Sequence, residues 1–295
     1  MALTSPGLTL AVPAMFGNIK PALDVIRRLG STDFSADAPD YDIKPGATVK
    51  VPVSGIAAAS AYDASTNNYT TGGTTNWASL TATHYLQGFD VSGANIDQGV
   101  DAPKLKQLFA ARAGKGIAAA CLANVKTALD GVTASTAVKL PAVASVAISD
   151  YLTLGSDLGW LNRADSVLAV NGAEYAKIKA VFASEHVIGD DRTLASFIGF
   201  ADLVCVPSMT ARAVIVPGGS FGTLARVPAV VARFAESGSQ TDEDSGLAVG
   251  IVVADDQSQN RLIVNADLWF GSTVLSAPAA ATTAGAVKVG TATGS

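Results

Sequence analysis

Apolar positions first recur at helical spacing at Ile19, Leu23, Ile26 and Leu29, with Arg27 and Arg28 in the closing turn and Gly30 beyond it. Asn18 is a capping residue type, so the pattern predicts a short helix opening there. A helix of that length needs a surface to pack on. The period then changes to two. From Ile43 to Val53, Val49, Val51 and Val53 share one face, and Pro52 removes a ladder donor, which predicts an edge strand. A second alternating run goes from Leu80 to Val91, with Thr83, Tyr85, Phe89 and Val91 on one side. Residues 54–79 are mostly Ala, Ser, Thr, Asn and Gly and hold few core-forming side chains. Two strands flanking such a stretch predict a projecting hairpin, which is marginal in water unless it rests on something else.

The strongest helical pattern follows. Asp101 caps it, Pro103 sits in its first turn, and Leu105, Leu108, Phe109, Ile117, Cys121, Val125 and Leu129 keep three-four spacing up to Gly131. That is about 28 residues and about 42 Å at the α-helical rise. Gly114 and Gly116 are its candidate kink points. Beyond residue 146 the pattern is mixed. It predicts a short helix near Asp150–Leu158, an apolar strand at Ser166–Val170, and a helix carrying Tyr175, Ile178, Val181 and Phe182 behind a capping pair of Asn171 and Glu174. Strands are expected at Leu203–Val206, Ala213–Val216 and Val227–Phe234. Gly238–Gly246, with Asp242, Glu243 and Asp244 together, predicts an exposed polar loop. Leu247–Val253 is nearly all apolar, as when both faces are covered. Leu262–Phe270 alternates, so Asp255–Asn260 turns a hairpin. Ala277–Ser295 is rich in Ala, Thr and Gly and predicts a poorly ordered tail.

Composition sharpens this picture. Of 295 residues, 49% are apolar and only 15% charged, against about a quarter charged in an ordinary soluble domain. Such a surface suits a protein that buries much of itself against further copies. The net charge of -5 argues against a dedicated nucleic-acid binder. Cys121 and Cys205 have no close partner in sequence and read as buried thiols of a reducing compartment. No basic leader precedes an apolar run and no apolar run has the length of a span, so a soluble cytoplasmic product is expected. Candidate chemistry is thin. Gly218-Gly219-Ser220-Phe221-Gly222 fits the hydrolase elbow, which would make Ser220 a nucleophile, but His84 and His186 both precede it, and the run reads equally as a turn. Two histidines and two scattered cysteines make no zinc site. Gly114-Lys115-Gly116 lacks the flanks of a phosphate loop.

The order of elements resembles that of tailed-bacteriophage major capsid proteins, a fold shared with encapsulin shells. The likeness lies in element order and lengths, and in two runs: His84-Tyr85-Leu86-Gln87-Gly88-Phe89-Asp90-Val91-Ser92 entering the long helix, and Asp165-Ser166-Val167-Leu168-Ala169-Val170-Asn171 entering the next. The resemblance implies an α+β capsid fold. Its parts would be an N-terminal arm (1–42), an extended β-hairpin loop (43–98), and a peripheral domain with a spine helix (99–145 plus 246–276). A mixed α/β axial domain (146–245) and a flexible C-terminal tail (277–295) would complete it. It implies a non-enzymatic subunit without metal or cofactor, self-assembling in the host bacterial cytoplasm into hexamers and pentamers of an icosahedral shell around double-stranded DNA. A separate scaffolding protein, a portal and a decoration protein would be its partners, and no membrane. An encapsulin-like nanocompartment shell is the alternative with the same fold. Val49, Val51, Tyr62, Tyr69, Trp77 and Tyr85 are the candidate intersubunit contacts, the other reading being that they pin the loop on its own domain. Lys104, Lys106 and Lys115 would face DNA weakly, or form a solvated helix face.

Overall fold

The computed structural model describes residues 6–33, 48–54, 75–92, 102–158, 161–187, 189–227, 236–241, 248–256, 261–275 and 285–291. The first helix, α1 (Pro6–Arg28), begins well before Asn18. Asn18 lies inside it, its side-chain amide donating to the Ala14 carbonyl at 2.7 Å, so it caps nothing. Packing explains the extension. Met15, Phe16, Ile19, Leu23 and Ile26 are buried in one cluster with Ala110, Ala113, Ile117 and Cys121 of the long helix α2 (Ala102–Asp130). That burial offsets the donors missing at Pro13 and Pro21. The surface this helix was expected to need is α2, and the two form a helix pair.

α2 runs unbroken for 29 residues, about 43 Å. Its glycines serve close approach and not a break in the helix. A Cβ on Gly114 would sit 2.4 Å from the Met15 carbonyl oxygen, and one on Gly116 would sit 2.8 Å from the Gln87 side chain. α1 crosses α2 at the first glycine, and a strand passes at the second.

One sheet has β12 (Arg261–Val274) at its centre. β11 (Ala248–Asp256) pairs antiparallel with Arg261–Asp267, and β9 (Phe221–Arg226) takes over from Trp269 to Val274. β4 (Thr83–Ser92) pairs with Arg261–Phe270. β10 (Glu236–Thr241) pairs with β11, and β1 (Thr32–Asp33) lies parallel to β9. β10 occupies the start of the stretch expected as a polar loop. Its Ser, Gly and Gln residues give no apolar alternation, and pairing alone defines it. Asp242, Glu243, Asp244 and most of the strand expected at Val227–Phe234 lie outside the described residues.

The second sheet has the order β5-β13-β8-β6-β7, from β5 (Ala134–Leu140), β13 (Val287–Thr291), β8 (Ala213–Pro217), β6 (Ser166–Val170) and β7 (Asp202–Cys205). Its β6, β7 and β8 strands are buried on both faces, which is why they read as continuous apolar runs. Val167, Ala169, Val204, Val214 and Val216 join the core under α1 and α2. Leu168, Val170, Leu203 and Ile215 join a second core with α3 (Ile148–Leu152), α4 (Gly172–Ser184) and α5 (Asp191–Phe197). β13 corrects the expectation of a poorly ordered tail over its five residues. Its signal is one Val287-Lys288-Val289 alternation, too short to stand out, and Val289 is buried.

Candidate intersubunit surface

The projecting hairpin is β2 (Thr48–Ser54) with β3 (Thr75–Thr81), antiparallel from Thr48↔Thr81 to Ser54↔Thr75. It forms a two-stranded sheet of its own. The alternating run expected as one strand from Leu80 to Val91 is divided at Ala82. β3 turns to β2, while β4 turns to β12. The division has a packing cause: Gly271 of β12 lies under it, and a Cβ there would sit 2.3 Å from the Thr81 carbonyl oxygen.

A small cluster seats the hairpin root. Leu80, Ala82, Leu224, Trp269 and Leu275 are buried together, with Val49 and Ala78 packed against them. Beside it, His84 Nε2 bonds Asp267 Oδ1, and the imidazole stacks on Trp269 at 4.6 Å between ring centroids. Asp267 is buried, so this polar contact is made within the sheet. Sequence reasoning misses the trio, because the alternation of β12 marks its Ala266, Leu268 and Phe270 face as the core face. The signal was present on the opposite face, where Asp267 and Trp269 stand two residues apart.

The six candidate contacts fall in different places. Val49 is half-buried on the root cluster of its own chain. Tyr85 is half-buried against the main core, and its hydroxyl accepts from Asn124 of α2 at 3.2 Å. Val51 stands opposite Ala78 and Trp77 opposite Pro52, both out along the hairpin. Tyr62 and Tyr69 lie outside the described residues. On α2, Lys115 is exposed, near exposed Arg112 and Leu108. Position 104 is eleven residues from 115 and shares its face, whereas 106 is in helical register with the buried Ala110, Ala113 and Ile117. The three lysine positions do not make one face.

Polar networks tie the two cores together. Arg28, in the last turn of α1, donates to both Asp202 carboxylate oxygens at 2.9 and 2.8 Å, to Asp191 at 3.1 Å and to the Leu203 carbonyl at 2.7 Å. The Asp202 bond raises the arginine pKa further and outweighs burial, so its charge is fixed. Asp191 also accepts from the Tyr175 hydroxyl at 2.7 Å and pairs with Lys179 at 3.0 Å. Burial opposes ionisation of Asp191, but the bonds from Tyr175, Lys179 and Arg28 outweigh it and lower its pKa. Asn171 does accept from the Glu174 backbone N–H at 2.8 Å, the first half of the expected capping pair. Glu174 does not return the bond. Its fully buried carboxylate accepts from Arg212 Nε at 2.5 Å, Arg212 Nη2 at 3.1 Å and the Tyr151 hydroxyl at 2.5 Å. Burial and Glu174 together raise the Tyr151 pKa.

Ser220 lies in the turn from β8 to β9, after Gly219 at φ +71°, and its hydroxyl donates to the Pro217 carbonyl at 2.6 Å. That is the geometry of a turn. Cys121 is buried in the α1–α2 core, which pushes its pKa up to about 12. Cys205 is half-buried, and burial raises its pKa as well. Neither is an activated thiol.

No protein-family model matches the chain, and no curated protein does. Solved structures do. The capsid of Ralstonia phage GP4 is similar at 9% identity and a TM-score of 0.51, over 83% of this chain and 83% of that one. A virus-like particle from Pyrococcus furiosus is similar at 9% identity and a TM-score of 0.53, over 90% of this chain and 93% of that one. At such identities the likeness is one of fold. The chain has the tailed-phage capsid fold, the one found in that phage capsid and in the archaeal virus-like particle.

Proposed function

We propose that this protein is a major capsid protein, a shell subunit that assembles with copies of itself into hexamers and pentamers around double-stranded DNA. The observation that carries the reading is the hairpin. β2 and β3 pair only with one another among the described residues, and their attachment to the rest of the chain is a small cluster at one end. A two-stranded ribbon is marginal in water. Laid across a neighbouring copy, it would bury its faces, and the same contact repeated around a ring closes a shell. Val51, Trp77, Tyr62 and Tyr69 are the contacts we assign to the neighbour. Val49 and Tyr85 already pack on their own chain and serve to aim the hairpin.

The subunit works by binding and not by catalysis in this reading. Its site is virion-bound. Among the described residues, no helix is long and apolar enough to cross a membrane. A scaffolding protein, a portal and a decoration protein are the partners such a shell would recruit. Because Lys104, Lys106 and Lys115 do not share one face, replacing all three by Gln should leave packaged nucleic acid unchanged, measured as the absorbance ratio of purified particles. A clear fall in DNA content would give these lysines a genome-facing role.

Electron microscopy of the purified chain tests the main reading: closed, symmetric shells are expected, and dispersed monomers at high concentration would contradict it. An encapsulin-like compartment that encloses no genome is the second reading compatible with the same fold. Particles lacking DNA under conditions where the phage genome is present would favour it.

A further inference from the structure

Two sides of α2 are taken. Ala110, Ala113, Ile117 and Cys121 are buried in one cluster with α1. Gly116 lies against the Gln87 side chain of β4, beside Phe109 stacked on Phe89 at 5.6 Å between ring centroids. A third side is open. Leu108, Arg112, Lys115, Ala119 and Ala123 follow one another at steps of three and four residues, and all five are exposed. They line about 22 Å of the helix. Leu108 keeps 47% of its surface exposed.

The open side is cationic in an acidic chain. Of 20 basic and 25 acidic residues in the whole chain, α2 holds five basic and one acidic, which leaves 15 and 24 elsewhere. The one carboxylate of α2, Asp130, closes the helix and accepts from the Thr210 and Ala211 backbone N–H groups at 3.1 and 2.6 Å. Lys126 stands 3.9 Å from it. Arg112 and Lys115 have no ion pair or side-chain hydrogen bond among the described residues. They are neighbours one turn apart with like charge, an arrangement that weakens a helix unless acidic groups meet it.

The make-up of the stripe favours a protein surface over nucleic acid. Affinity for a duplex comes from many phosphate contacts. Here two exposed cations are followed by two alanines and preceded by a leucine, and neither residue type offers a phosphate anything. A protein surface uses all of them: apolar contact at Leu108, close approach over the alanines, and carboxylates at Arg112 and Lys115. The rest of this same chain, with its excess of carboxylates, has the complementary charge.

We propose that the open side of α2 is an interface between copies, and that it receives the acidic surface of a second copy of this chain. Each contact is modest by itself, and repetition around a ring multiplies it. The inference rests on the shell reading and adds a surface that the hairpin contact does not use.

The test uses the full chain with Arg112→Glu and Lys115→Glu together. Both positions are exposed, so the variant should unfold at the parent's temperature. In about 0.1 M salt its threshold concentration for assembly, read by sedimentation, should rise about tenfold, and the gap should narrow as salt approaches about 1 M. The charge-keeping variant Arg112→Lys/Lys115→Arg should assemble as the parent does. An unchanged threshold in the reversed variant would overturn the proposal. A photoreactive residue at position 108 of a tagged chain, assembled with isotope-labelled parent, identifies the occupant. Cross-links to the labelled chain are expected; links confined to one chain, or made to nucleic acid, refute the interface. Shells that show only such links leave the shell reading standing and remove this one. Small oligomers with the expected cross-link but no shells support the interface and count against the shell, and a parent that stays monomeric overturns both.

Discussion

Gly114 and Gly17 are both helical glycines, and they should respond oppositely to alanine. Among the described residues, nothing lies within 4 Å of a Cβ built on Gly17, so Gly17→Ala gains about 0.5–1 kcal/mol of helix propensity. Gly114→Ala gains the same term but drives a methyl to 2.4 Å from the Met15 backbone, an overpacking cost of about 1–3 kcal/mol. Thermal unfolding should show a raised Tm for the first and a lowered Tm for the second. Glu174 is a sharper case. Arg212→Met strands a buried carboxylate and should cost about 3–5 kcal/mol in denaturant unfolding, while the double variant Glu174→Met/Arg212→Met recovers much of the loss. Asp191 brings pH into play. Its folded pKa is below the unfolded value of 3.8, so its bonds stabilise above that value and the contribution is lost as pH falls through the folded pKa. Asp191→Asn should cost about 1–2 kcal/mol near pH 7, and the difference from the parent should shrink below about pH 4.

At the scale of elements, what the sequence revealed follows from pattern length. α2 repeats its apolar stripe over many turns, and β11 and β12 carry long apolar runs, so each was legible with little context. α1 was seen only from Asn18 onward, because Pro13 and an unbroken apolar stretch hid a helix that its contact with α2 stabilises. β10 and β13 are short and poor in apolar residues, and partner strands define them. The hairpin was legible as a pair of strands, but its root was not. The division at Ala82 depends on the close approach of Gly271, a contact 190 residues away along the chain. Gly271→Ala should therefore disturb the root and leave both cores in place. Hydrogen exchange should rise at Thr75–Thr81 with little change in β6 and β8; equal exchange in parent and variant would show that the approach carries no weight.

For the whole molecule, the two cores and the networks at Arg28 and Glu174 make one subunit body, and the hairpin pairs as a separate two-stranded sheet seated on it by its root cluster. The proposed shell depends on that contrast between a well-packed body and a ribbon that lacks faces to bury. Hydrogen exchange on purified protein, compared between its dissociated and assembled forms, tests it most directly. The account predicts fast amide exchange along Thr48–Ser54 and Thr75–Thr81 in the free subunit and strong protection after assembly. Equal protection in both forms, or a chain that stays monomeric at high concentration with those amides already protected, would contradict it.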